Sequence, residues 1–107
     1  MKLILAIVNH DDSGAVIGNL TKEGFMVTKI ATVGGFLRKD NTTIIVGVED
    51  EKVDSAIDII YHESQSRKQL KTAFMEPGAG YGTGIPFEVT VGGATVFVLN
   101  VERFVKM

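Results

Sequence analysis

The chain has 107 residues, 45% of them hydrophobic, with a net charge of −2. That is enough for one domain with one modest core, so a single unit over residues 1–107 is expected. Eleven basic residues are scattered among thirteen acidic ones, with no cysteine; the first point argues against a nucleic acid polymer or an anionic membrane as partner, and the second excludes disulfides, thiol catalysis and cysteine zinc sites.

Met1-Lys2 and the apolar run Leu3–Val8 mimic a signal peptide. The run is short, however, and no small-residue cleavage site follows, so a cytoplasmic protein is expected. Lys2–Val8 reads as a buried strand. Asp11-Asp12-Ser13 can cap a helix whose apolar face is Val16, Ile17 and Leu20, and Gly24 suits its left-handed stop. Phe25–Val33 is β-branched and reads as a strand. Gly34-Gly35 makes a turn, and Thr42–Val48 returns as a second strand. Glu49-Asp50-Glu51 places negative charge at the start of the next helix. Val53, Ile57 and Ile60 mark its apolar face, with Ala56 beside them.

Ser66–Ala73 suits a short extended segment. Pro77–Pro86 holds four glycines between two prolines and reads as a loop. Phe87–Val91 and Ala94–Val101 flank Gly92-Gly93, a two-residue hairpin signal. The expected class is therefore α+β, a ferredoxin-like β-α-β-β-α-β unit with an extra C-terminal strand and a long glycine-rich loop. A small sheet of this kind leaves strand edges open, which favours self-association.

The segment Thr28–Gly47 is the most informative in the chain. Hairpin turns are normally polar, yet Phe36-Leu37 follows Gly34-Gly35 in the turn itself. The glycines can simply make a tight turn, or they can free the amides of Gly35, Phe36 and Leu37 for an anion. Phe36 can cover a core edge or offer a ring face to a base. Asn41 can cap a turn, or bind the N6/N7 edge of adenine through its side-chain amide. Gly47 reads as a bulge or a point of close approach. His10 and His62 stand alone, Glu49-Asp50-Glu51 is explained by the helix dipole, and the 77–86 glycines lack the Lys-Ser/Thr of a P-loop. No metal site, cofactor or nucleophile–base pair is expected, so an enzyme ranks last among the functional classes.

Two blocks carry a family resemblance. Thr28-Lys29-Ile30-Ala31-Thr32-Val33-Gly34-Gly35-Phe36-Leu37-Arg38-Lys39-Asp40-Asn41-Thr42-Thr43 and Gly92-Gly93-Ala94-Thr95-Val96-Phe97-Val98-Leu99 closely resemble the PII-like cyclic di-AMP receptor family. Similarity extends to the first strand and to Arg67. The resemblance implies a homotrimer of ferredoxin-like subunits that binds cyclic di-AMP between neighbours and signals to a downstream protein partner without catalysis. It assigns Val27, Thr28, Gly35, Phe36, Leu37, Asn41, Gly47 and Phe97 to the ligand. Thr28, Asn41 and the Gly47 backbone are the adenine-recognising groups among these. The chain departs from the family at Met26, where an arginine is common, at Asp40, where glycine is usual, in the 77–86 loop, and at Lys106, which replaces a polar amide. Two other readings accompany this one: a PII-type regulator responding to ATP or ADP, and a trimeric scaffold that has lost its ligand.

Overall fold

A computed structural model describes residues 1–30, 41–73 and 85–107. Among these, the element order is β1 (Lys2–Asn9), α1 (His10–Lys22), β2 (Met26–Ile30), β3 (Asn41–Val48), a 3₁₀ turn (Asp50–Lys52), α2 (Val53–Glu63), β4 (Arg67–Ala73), β5 (Ile85–Val91) and β6 (Ala94–Asn100).

Alternation along β1 sets the architecture. Ile4, Ala6 and Val8 are fully buried on one face, while Leu3, Leu5 and Ile7 are half-buried on the other. In β3, Thr42, Ile44, Val46 and Val48 point to the same side as Ile4, Ala6 and Val8. That side packs against the helices. Val16 and Leu20, one helical turn apart, bring α1 onto it, and Ala56 and Ile60 do the same for α2. Each fully buried Val, Leu or Ile contributes roughly 1.5–3 kcal/mol of transfer free energy.

The main sheet is antiparallel throughout, in the order β2-β3-β1-β6. This two-layer arrangement of two helices on one antiparallel sheet is compatible with a ferredoxin-like fold. β1 runs opposite β3 from Lys2–Val48 to Asn9–Asn41, and opposite β6 from Lys2–Asn100 to Val8–Ala94.

The C-terminal half departs from the sequence expectation. β5 does not pair with β6. It pairs with β4 in a separate two-stranded sheet, from Arg67–Val91 to Ala73–Ile85. β4–β5 is thus an arm inserted between α2 and the last strand of the main sheet, so the additional strands are internal. The cause lies at Gly92-Gly93, with φ of +85° and +81°. A type I′ hairpin turn needs positive φ at both central residues, and these glycines have it. Here, however, the Gly93 N–H donates to the Ser64 carbonyl, and the bend carries the chain from one sheet into the other. The loop expected over Pro77–Pro86 ends earlier than its second proline, because Ile85 and Pro86 already belong to β5; Pro86 is tolerated where both strands are edges.

The cap of α1 also lies upstream of the expected Asp11-Asp12-Ser13. The Asn9 side chain accepts from the Asp11 N–H at 2.9 Å, which leaves Asp11 and Asp12 in the first turn. Gly24, at φ +91°, follows the helix as expected.

Candidate functional site

The sheet face turned away from the helices is the distinctive surface of this molecule. Directly opposed residues of an antiparallel sheet share a face, so the registers give its grid. One row across the sheet is Met26, Gly47, Leu3 and Leu99. The next is Thr28, Ile45, Leu5 and Phe97, and the third is Ile30, Thr43, Ile7 and Thr95. Asn41 and Asn9 face each other beyond these. The face carries no charged side chain among the described residues, and much of it is open: Met26, Phe97 and Leu99 are 73%, 52% and 45% exposed.

Of the eight residues singled out in the sequence, four lie on this face: Thr28, Asn41, Gly47 and Phe97. Val27 lies on β2 opposite Val46, and its side chain turns to the helical side, where it packs on the core. It is not brought together with the others. Gly35, Phe36 and Leu37 lie outside the described residues, as do Asp40 and the glycines of 77–84.

The four are not one cluster. Thr28 stands opposite Ile45, four residues along β3 from Asn41, and Gly47 is six residues from Asn41. At about 3.3–3.4 Å per residue, these separations are about 13 and 20 Å. One adenine cannot touch both ends. Thr28 and Gly47 form one station and Asn41 another, each at its own end of β3. Phe97 sits in the Thr28 row but three strands away, about 14 Å at the usual strand spacing.

The Thr28–Gly47 station opens into a cleft of about 620 Å³. Besides these two residues, its walls are Met26, Leu3 and Ile45 from the sheet and Phe104, Val105 and Lys106 from the tail. The Val101 N–H donates to the Met1 carbonyl at 3.2 Å, which starts the tail along this edge. Lys52 and Lys106 in the cleft are offset by Glu23 and Glu49. The tail residues Phe104 and Val105 were missed from sequence, since they follow the last strand with no periodicity of their own; their 63% and 57% exposure marks them. Nearby, the Met1 ammonium 3.0 Å away holds the Asp50 carboxyl below its ordinary value by hydrogen bonding and charge.

At the Asn41 station, the next residue, Thr42, turns to the helical side, where His10 Nδ1 lies 3.2 Å from its hydroxyl. Thr43 returns to the open face, and its hydroxyl is buried without a hydrogen-bond partner among the described residues. Within its own helix, His62 Nδ1 donates to the Asp58 carbonyl at 2.8 Å, since a carbonyl oxygen can only accept.

The arrangement offers amide and hydroxyl groups at two places on a sheet face whose described residues are uncharged. It suits the binding of a ligand with two flat polar-edged groups. Comparison with known proteins agrees with a binding role. The whole chain, residues 1–107, matches the sequence model of a family described as cyclic-di-AMP receptor. Among solved structures, the chain is similar to a functionally unknown protein from Pediococcus pentosaceus ATCC 25745, with 36% identity, a TM-score of 0.75, and coverage of 99% of this chain and 96% of the other.

Proposed function

Because the chain belongs to the cyclic-di-AMP receptor family, we propose that it is a cyclic di-AMP-binding signalling protein that acts as a homotrimer, with each ligand held between neighbouring subunits. The observation that carries this reading is the division of the adenine-suited groups into two stations, Thr28 with Gly47 and Asn41, on one helix-free face. A ligand with two adenines has use for two stations. A shared face that is apolar, open and free of charge among the described residues is the surface a second copy covers, since patches of this kind mark association sites. The unmet Thr43 hydroxyl on that face is a group that a covering copy or a ligand can satisfy.

In this reading the fold is ferredoxin-like, with β6 as its fourth strand and the β4–β5 arm inserted before it. The protein binds and does not catalyse. It stays in the cytoplasm, and the loop over 77–86 is what a partner reads. Ligand binding alters that surface only if affinity differs between its states.

The test is calorimetric titration with cyclic di-AMP, cyclic di-GMP and ATP. Tightest binding is expected for cyclic di-AMP, because guanine presents two acceptors, O6 and N7, where an asparagine amide needs one donor and one acceptor. ATP binding tighter than cyclic di-AMP would transfer the protein to the PII-type nucleotide regulators. Absence of heat with every ligand would leave a scaffold.

Met26 refines the test. It is largely exposed, faces Gly47 across β2–β3 and lines the cleft with Thr28. It supplies apolar contact but neither charge nor a planar stacking group. Met26→Arg adds a guanidinium that can stack on a base, worth roughly 0.5–2 kcal/mol. The variant is expected to bind cyclic di-AMP about threefold to thirtyfold more tightly in the same titration at fixed salt. Unchanged or weaker binding would place the ligand away from this end of the face.

A further inference from the structure

The β4–β5 arm meets the rest of the molecule at a joint made of two chain crossings, residues 64–67 and 91–94. A lone two-stranded hairpin is marginally stable in water. Its persistence and direction therefore depend on what holds its base. Arg67, the first residue of β4, places its guanidinium in a forked pair with Asp12 on the first turn of α1: Nη2 to Oδ1 at 2.8 Å and Nη1 to Oδ2 at 3.2 Å. Nη1 also donates to the Gln65 carbonyl at 3.2 Å. The Asp12 side chain is only 8% exposed. The Asp12 carboxylate, by hydrogen bonding first and charge second, holds the Arg67 pKa above its ordinary value.

The second crossing is fitted against the first. A Cβ added to Gly92 would lie 2.5 Å from the Gln65 carbonyl oxygen and 2.8 Å from Arg67 Nη1, so only glycine lets the two crossings touch. Ser64, beneath them, is buried; its hydroxyl donates to the Ile60 carbonyl and its own carbonyl accepts from the Gly93 N–H. The two crossings thus touch at Gly92 and bond through Ser64, and among the described residues the joint's charge pair to the helical layer is Asp12–Arg67.

The same helical turn reaches the other way. His10, two residues before Asp12, meets the Thr42 hydroxyl, and Thr42 adjoins Asn41 on β3. We propose that Asp12 is a positioning residue: through Arg67 it sets the β4–β5 arm on the core, and through the first turn of α1 it ties that arm to the β3 end that bears Asn41. A force applied at either end, by a ligand or by a protein partner, is then felt at the other. The tie holds whatever the site binds.

Amide hydrogen exchange on the unliganded full chain tests it, with Asp12→Asn, Arg67→Gln and the double variant. Asp12→Asn keeps the side-chain shape and removes the charge. Exchange of the β4 and β5 amides is expected to rise about tenfold or more, the factor that follows loss of a charge-assisted hydrogen-bonded pair. The β1 amides, in the core of the main sheet, are expected to keep their rates, which separates loss of arm positioning from general loss of stability. The double variant is expected to match the single ones, as two halves of one contact do. In Arg67→Gln, the NMR signals of His10 and Thr42 are expected to shift although the Arg67 hydrogen bonds go to Asp12 and Gln65. Arm exchange at the wild-type rate in Asp12→Asn, or equal acceleration in arm and β1, would overturn the positioning role. Unmoved His10 and Thr42 signals would overturn the tie.

Discussion

Leu5→Lys is expected to prevent assembly of the proposed trimer and leave monomers. Leu5 occupies the centre of the helix-free face, with Ile45 and Phe97 on either side of it and Leu3 and Ile7 on its own strand. No described residue of that face, from Met26, Thr28 and Ile30 through Asn41 and Ile45 to Thr95 and Leu99, is acidic. If copies meet across it, each would bury an ammonium with no carboxylate to pair with among the described residues of the face. An unpaired buried charge costs several kcal/mol even after relaxation, and threefold symmetry repeats that cost in every subunit while bringing like charges together. The core of the single chain lies on the opposite side of the sheet, among Ile4, Ala6, Ile44, Val46, Ala56 and Ile60, so the variant should keep its helical circular dichroism. Light scattering at micromolar concentration is expected to give about three times the chain mass for the wild type and the chain mass for the variant. A folded variant that remains trimeric would move the interface to another surface, and a monomeric wild type would remove the shared site.

The N-terminal half of the fold was legible because local and long-range signals agree there. Ile4, Ala6 and Val8 alternate as a strand, Val16 and Leu20 recur at helical spacing, and Gly24 stops the helix in the conformation that glycine favours. The C-terminal half was read less well because pairing is not a local property. Ser66–Ala73 reads as extended in isolation, but nothing in it names β5 as its partner. Gly92-Gly93 satisfies the dihedral demands of a hairpin while making a crossing between sheets. What decides between the two is the Ser64 carbonyl, twenty-nine positions before Gly93. The Asp12–Arg67 pair was invisible for the same reason, its partners being fifty-five residues apart.

The site was legible as a set of residue types and not as a layout. Thr28, Asn41 and Gly47 carry polar or close-approach chemistry that the sequence displays. Their division into two stations follows from the β2–β3 register, which pairs Thr28 with Ile45 rather than with the start of β3. Val27 shows the converse: adjacent to Thr28 in sequence, it is turned by the pleat to the opposite face.

That division has a consequence for Asn41→Ala. Asn9 and Asn41 face each other at the end of the sheet, and the Asn9 side-chain oxygen Oδ1 is engaged by the Asp11 N–H as the cap of α1. Asn41 is the amide left for a base: its oxygen can accept from adenine N6 while its nitrogen donates to N7. The residue is half-buried already, and a covering subunit would desolvate it further, so truncation leaves polar base atoms unpaired. The expected loss is about 1–3 kcal/mol, or about fivefold to 150-fold in cyclic di-AMP affinity. Thr28→Ala should cost less, because a single hydroxyl is lost. Since the two residues stand about 13 Å apart along the sheet, their effects should add to within a few tenths of a kcal/mol when each serves its own base. Titration of the two single variants and the double variant measures this directly. A strong departure from additivity would mean that both residues act on one adenine through different subunits. An equal loss for cyclic di-GMP and cyclic di-AMP in Asn41→Ala would mean that the amide holds the ligand without reading its base.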